Sequence, residues 1–414
     1  MRAARAHLIA SPASDVKLHP FSGSRVIIKA SMLNPAQIHA NAIVIDGHAD
    51  TPQRFVDEGW NFTDPLGQGM LNLETARAGN LAAEFFAIWV DPQQWKGQMA
   101  HRTLQLIDGV YEQLRKHPST MCLGCTPEDI RRAHRERKFC VLLGIEGGHS
   151  IEADLGLLRI YHRLGVRYMT LTWSNTNQWA DSSGDLNDPT VEHHGGLTAF
   201  GREVVREMNR LGMIVDVSHV ADSTFWAVME TSQRPVIASH SSARALTDAP
   251  RNLSDDQLKA IADSRGVVMV NFYPSFIDAR WRAGWAATQP QREALYHAAA
   301  QPYQERGQPL PYHVLLSIDR AFYTEHLQHQ LPLAPLSALV DHIDHVATVA
   351  GIDHVGLGSD FDGFAIAPQG LGSAAGLPSI TAALAERGYD SSQLTRLLGA
   401  NLLRVLEEVQ NGTS

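Results

Sequence analysis

The chain has 414 residues, 35 Lys and Arg against 44 Asp and Glu for a net charge of −9, and is 44% hydrophobic with 7% aromatic residues. That balance is too apolar for disorder and holds no run of Lys or Arg dense enough to follow a phosphate backbone, so no nucleic-acid partner is expected. No stretch approaches the roughly 20 uninterrupted apolar residues of a membrane span. Cys122, Cys125 and Cys140 are too few to staple a chain of this length, and the pair Cys122-Leu-Gly-Cys125 lacks the second pair that a four-cysteine metal site requires.

Residues 1–40 show no sustained period and read as an N-terminal extension. Leu8-Ile9-Ala10, after Arg2 and Arg5, is too short for the apolar core of a secretory signal. The expected location is therefore cytoplasmic, or periplasmic if a leader has been removed. From there, short runs rich in Val, Ile and Phe fall at 42–45, 82–90, 139–145, 166–171, 213–217, 235–238, 267–272 and 354–357. Between them lie segments such as 155–164 and 198–211, whose apolar residues recur at three and four and which stop at Gly165 and Gly212. Strand alternating with amphipathic helix implies a parallel sheet, and eight repeats imply a closed (β/α)8 barrel over 41–414. An open doubly wound sheet is the alternative, but no glycine-rich dinucleotide fingerprint follows any run. The stretch 275–333 breaks the rhythm and is expected as an insertion before the last strand, placing Trp281 and Trp285 over the barrel mouth.

Polar residues gather at the C-terminal ends of these runs: His48 and Asp50 after the first, Glu146 after the third, His219 after the fifth, His240 after the sixth and Asp360 after the eighth. In a barrel those ends share one face, so residues more than 300 positions apart converge. Three histidines with Asp50, Glu146 and Asp360 are donors that a pair of zinc ions accepts, with Glu146 placed to bridge. A helix N-cap is the ordinary explanation of an aspartate at a strand end, but a buried glutamate before two glycines has no such excuse.

The segments Ile45-Asp46-Gly47-His48-Ala49-Asp50-Thr51-Pro52, Gly144-Ile145-Glu146-Gly147-Gly148-His149-Ser150, Asp216-Val217-Ser218-His219-Val220, Ser239-His240-Ser241-Ser242-Ala243, Arg251-Asn252-Leu253 and Gly358-Ser359-Asp360-Phe361-Asp362-Gly363 together resemble the membrane (renal) dipeptidase family of the amidohydrolase superfamily. The resemblance runs over about 42–405. It implies a dipeptidase on a distorted (β/α)8 barrel, with two Zn2+ per chain and a metal-bridging hydroxide. His48 and Asp50 would hold one ion, His219 and His240 the other, and Glu146 would bridge them. Asp360 matches the active-site aspartate, and Arg251 the residue that receives the substrate's terminal carboxylate. The expected partner is a small peptide, with a homodimer left open.

Where the family usually has a histidine after Leu-Thr, this chain reads Leu171-Thr172-Trp173-Ser174. Indole donates one hydrogen bond and carries no charge, so Trp173 is expected as a wall of the substrate pocket that shifts preference toward bulky or modified peptides; the alternative is a replacement donor, His193 or His194 rather than His149. Two other functions stay open: a two-zinc amidohydrolase acting on another amide, lactam or modified peptide, and a non-catalytic binding protein that keeps the barrel.

Overall fold

The structure, a computed structural model, describes residues 34–411. The expected extension lies outside the described residues up to residue 33. Its end is helix α1 (Pro35–Asn41), started by the Asn34 side chain accepting from Gln37 N–H and by Pro35, whose fixed φ suits the first turn.

The strands are β1 (Val44–Ala49), β2 (Leu81–Trp89), β3 (Met121–Leu123), β4 (Phe139–Glu146), β5 (Val166–Thr170), β6 (Ile214–Asp216), β7 (Val236–Ala238), β8 (Val267–Val270) and β9 (Val355–Leu357). All pairings are parallel, in the order β2-β1-β9-β8-β7-β6-β5-β4, and β4 pairs back with β2 to close an eight-stranded barrel. All eight runs picked out in the sequence are barrel strands. The addition is β3, which pairs with the first residues of β4 while β5 pairs with its last ones, so two strands share one edge.

Between the strands run α2 (Pro52–Asp57), α3 (Met99–Lys116), α4 (Leu155–Arg163) and α5 (Ala199–Leu211). The last is capped by Thr198 at its start and by Gly212, at φ 72°, at its end. The stretch expected as an insertion is helical: α6 (Ala279–Ala286), α7 (Gln289–Gln304) and α8 (Tyr312–Phe322), followed by α9 (Leu336–Val349) and, after β9, α10 (Asn401–Asn411).

Because helices cover one face of the sheet and the barrel interior the other, the strands are buried along almost their whole length. Ile45, Phe85, Leu142, Tyr168, Ile214, Ile237 and Met269 fill the interior, and Leu402, Leu406 and Val409 of α10 pack onto the same cluster. Gly144 makes room for the Tyr168 ring, whose atoms lie 2.1–2.5 Å from where a Cβ would stand. The insertion has a small core of its own, in which Trp281 and Trp285 stack at 5.1 Å beside Phe322, Tyr323 and Ile366. No helix among the described residues is long and apolar enough to cross a membrane.

Candidate metal centre and active site

The barrel brings His48, Asp50, Glu146, His219, His240 and Asp360 to one mouth. His48 is the second-last residue of β1 and Glu146 the last of β4, while His219, His240 and Asp360 lie just past β6, β7 and β9. His219 (φ 68°) and Asp360 (φ 64°) are held in the left-handed region, a strain that side-chain placement at functional sites often explains. Neither aspartate is a helix cap: Thr51 occupies the N-cap of α2, and Asp360 Oδ2 accepts from Asn271 Nδ2 at 3.0 Å. At Gly363 a Cβ would fall 2.3 Å from Asp360 Oδ1 and 2.4 Å from Asp50 Oδ2, so only glycine lets both carboxylates close in.

Glu146 stands in the middle. Its Oε2 is 3.4 Å from His48 Nε2, and its Oε1 is 2.8 Å from His219 Nε2 and 3.5 Å from His240 Nε2. Residues behind the histidines set their tautomers. The Tyr168 hydroxyl donates to the Gly47 carbonyl and therefore accepts from His48 Nδ1 at 2.8 Å, which leaves His48 Nε2 a lone pair with no hydrogen-bond partner. Ser239 Oγ donates to Asp216 at 2.6 Å and accepts from His240 Nδ1 at 2.7 Å, freeing His240 Nε2 in the same way.

These groups fit cations. The His219 and His240 Nε2 atoms lie 3.0 Å apart, close to the roughly 3.3 Å between neighbouring nitrogens on a tetrahedral zinc. Donor atoms of His48, Glu146 and His240, and of His48, Asp50 and Asp360, also fall within 4.8 Å of one another. The protein alone leaves the cluster short of positive charge. Burial, reinforced by Glu146, pushes the Asp50 carboxyl well above the usual range, and burial raises Asp360 to about 6. Burial would lower His48, but Glu146, Asp50 and Asp360 raise it to about 9. Divalent ions would supply the missing charge.

The mouth opens into a pocket of about 250 Å³ lined by Asp50, Glu146, His219, His240 and Asp360 and by Trp89, Trp173, Arg251, Trp281, Trp285 and Tyr312. Trp173 lies against Trp89 with ring centroids 4.8 Å apart, and Tyr312 of α8 also packs against Trp89, at 5.1 Å. Trp281 and Trp285 of the insertion contribute to this lining from their own buried cluster. His193 faces Asp181 at 3.9 Å, His194 bonds the Asn177 carbonyl, and His149 bonds the Val90 carbonyl, so none of the three lines the pocket. Arg251 has no carboxylate partner among the described residues: Asp255 pairs with His345 and Asp256 with Lys259. Its Nη atoms donate to Ser241 Oγ and the His240 carbonyl, its Nε is unpartnered, and burial lowers its pKa to about 10.

A model of the membrane dipeptidase family, peptidase family M19, matches residues 33–414. The chain belongs to that family. It is 32% identical over 360 residues to dipeptidase aclJ of Aspergillus oryzae, covering 85% of this chain and 73% of that one. Mouse dipeptidase 3 is 30% identical over 89% of this chain and 64% of its own length. Among solved structures, a metallopeptidase from Rhodobacter sphaeroides bound to a phosphinate mimic of L-Ala-D-Ala superposes with a TM-score of 0.70 at 28% identity, covering 89% of this chain and all of that one.

Several residues that shape this dipeptidase-family site were not singled out in the sequence. Tyr168 sits inside a strand run and reads as core. Asp216 accepts from Ser218 N–H, Ser239 N–H, Thr170 and Ser239 Oγ, tying β5, β6 and β7 together below the histidines. Trp89, Tyr312 and Asn271 carry no local signal, since only tertiary packing brings them to the mouth.

Proposed function

We propose that the chain hydrolyses dipeptides bearing a free C-terminal carboxylate and uses two zinc ions to do so. The observation that carries the reading is the split of Glu146, one oxygen toward His48 and the other toward His219 and His240, which suits a carboxylate shared by two ions. His48 and Asp50 would hold one and His219 and His240 the other. When bound, such ions polarise the scissile carbonyl and lower the pKa of a water.

The remaining work belongs to side chains. Arg251 presents a planar fork with unsatisfied hydrogen-bonding capacity, suited to a terminal carboxylate. Asn271 fixes Asp360 Oδ2, so Oδ1 can take a proton from the attacking water and deliver it to the leaving amine nitrogen. Trp89, Trp173 and Tyr312 wall off bulk water and strengthen the electrostatic contacts inside. The phosphinate carried by the Rhodobacter sphaeroides relative mimics a dipeptide with a D-residue at its C-terminal position. Such peptides therefore belong in the assay. Trp173 favours a second reading, in which the same ion pair acts on another amide or a bulky modified peptide.

The test is a dipeptide panel, with and without added zinc, run beside elemental analysis and the C-terminally amidated analogues. The expected results are close to two zinc ions per chain, activity lost to a chelator, and little turnover of the amides. Protein that neither holds nor reloads metal would end the two-ion reading. If Arg251→Ala impairs free acids and amides equally, the carboxylate role is wrong.

A further inference from the structure

Beside the catalytic pocket lies a second chamber of about 430 Å³, larger than the pocket itself. Asp50, Tyr312, Leu316 and Phe364 line both, so these side chains form the partition between them. The Tyr312 hydroxyl is tethered to the Gly363 carbonyl at 2.6 Å. One part of the chamber is apolar, made by Trp60, Pro65 and Leu316.

The charges elsewhere in its lining do not cancel locally. Arg54 is 8% exposed, lies 3.8 Å over the Trp60 ring, and pairs through Nε with Glu58 at 3.2 Å, but its buried Nη1 has no hydrogen-bond partner. Arg320 of α8 pairs with no carboxylate among the described residues. Its Nη1 donates to Gln68 Oε1 at 2.9 Å, an oxygen that also accepts from Ser317 Oγ at 3.0 Å. Of the three acids in the wall, Asp50 faces His48 and the metal cluster, Glu58 pairs with Arg54, and Asp362 accepts from the Thr51 hydroxyl and the Met70 N–H. Arg320 is thus a partly buried guanidinium with no carboxylate within salt-bridge distance among the described residues, Asp362 acting on it from farther off, and it is in reach of a chamber with an apolar side.

The direction of the substrate follows from the barrel order. Arg251 follows β7 and Asp50 follows β1, with β9 and β8 between them. If the C-terminal carboxylate sits on Arg251, as the proposed function has it, the N-terminal residue lies toward Asp50 and its side chain faces the partition. We propose that the chamber is a subsite for the side chain of the N-terminal residue, and that it selects an apolar stem ending in a carboxylate. The stem lies along Trp60 and Leu316, and the carboxylate reaches Arg320. This inference deepens the dipeptidase reading and rests on it.

Three substrates test it: L-Ala-L-Ala, Nε-succinyl-Lys-Ala, and Nε-butanoyl-Lys-Ala, which matches the succinyl compound in shape but ends in a methyl group. The succinyl dipeptide should exceed the butanoyl one in kcat/KM by about tenfold. Arg320→Gln should bring that ratio close to one, and Arg320→Lys should keep part of it. Calorimetry with Nε-succinyl-lysine and Nε-butanoyl-lysine, which need no turnover, should show the same preference in Kd and the same loss in Arg320→Gln. A wild-type ratio below two, or a preference that survives Arg320→Gln, overturns the subsite. If none of the dipeptides is cleaved, the dipeptidase reading fails, and the calorimetric preference still decides the chamber.

Discussion

At the residue scale, the site turns on how few groups do two things at once. Glu146 faces three imidazoles, and these, His48 foremost, hold its carboxylate well below the usual range against the burial that would raise it. Glu146→Gln keeps the shape and removes the charge, so zinc content should fall at both positions, because an amide bridges two cations poorly. Asp360 has a separate task. Asp360→Asn should retain most of the metal and lower kcat by roughly 10² or more, the scale of general acid–base catalysis. Elemental analysis beside steady-state kinetics separates the two variants. If both lose metal alike, Asp360 belongs to the ion-binding set instead. Trp173 is the third case. His149, His193 and His194 do not line the pocket; if the histidine usual at this position serves as an oxyanion donor, its replacement by Trp173 removes about 3 kcal/mol. Trp173→His should raise turnover of small dipeptides and weaken binding of bulky ones. Equal loss on every substrate would make the indole a packing element beside Trp89.

At the scale of elements, the barrel strands were legible because parallel strands buried on both faces read as short apolar runs between helical periods. The strand that escaped, Met121–Leu123, is three residues long and pairs along only the first part of β4. The ends of the strands were legible too, and with them the six polar residues, because a barrel turns chain order into a ring. What escaped sits on elements placed by packing. Tyr312 and Arg320 ride on α8, whose relation to β1 no local pattern encodes. His342 on α9 is a similar case: its Nδ1 accepts from the Ala243 N–H at 3.0 Å, three residues past His240, and burial lowers its pKa to about 4. In the unfolded chain the same ring titrates near 6.5, so the unfolded state binds the extra proton between those values. The contribution is whole above about 6.5 and is lost as the pH falls toward about 4, up to about 3 kcal/mol. Urea unfolding across that range should show a steeper acid limb for the wild type than for His342→Asn, whose side-chain oxygen can accept the same N–H without titrating. Parallel limbs would place the acid sensitivity elsewhere.

For the molecule as a whole, the two ends of the barrel are stabilised by opposite means. One end is apolar, with α10 packed onto the interior cluster, and its contribution does not depend on a ligand. The mouth holds buried Asp50 and Glu146 beside half-buried Asp360, and the crowding that pushes both aspartates up means that without cations their charges oppose folding. Ions bound only by the folded state would therefore raise stability by mass action, about 2.7 kcal/mol for one site at a hundred times its Kd. Zinc should raise Tm in a concentration-dependent way. Magnesium should do so far less, since it prefers oxygen donors and three of the donors here are imidazole nitrogens. Glu146→Gln gives the sharper contrast: stripped of metal it should be less stable than the stripped wild type, having lost a carboxylate that the imidazoles hold ionised, and it should also gain much less from zinc. The two curves of Tm against zinc would then diverge as metal is added. A wild-type Tm indifferent to zinc would mean that the buried carboxylates are neutralised by protons rather than by metal, and would remove the reason for six polar side chains to meet at this end of the barrel.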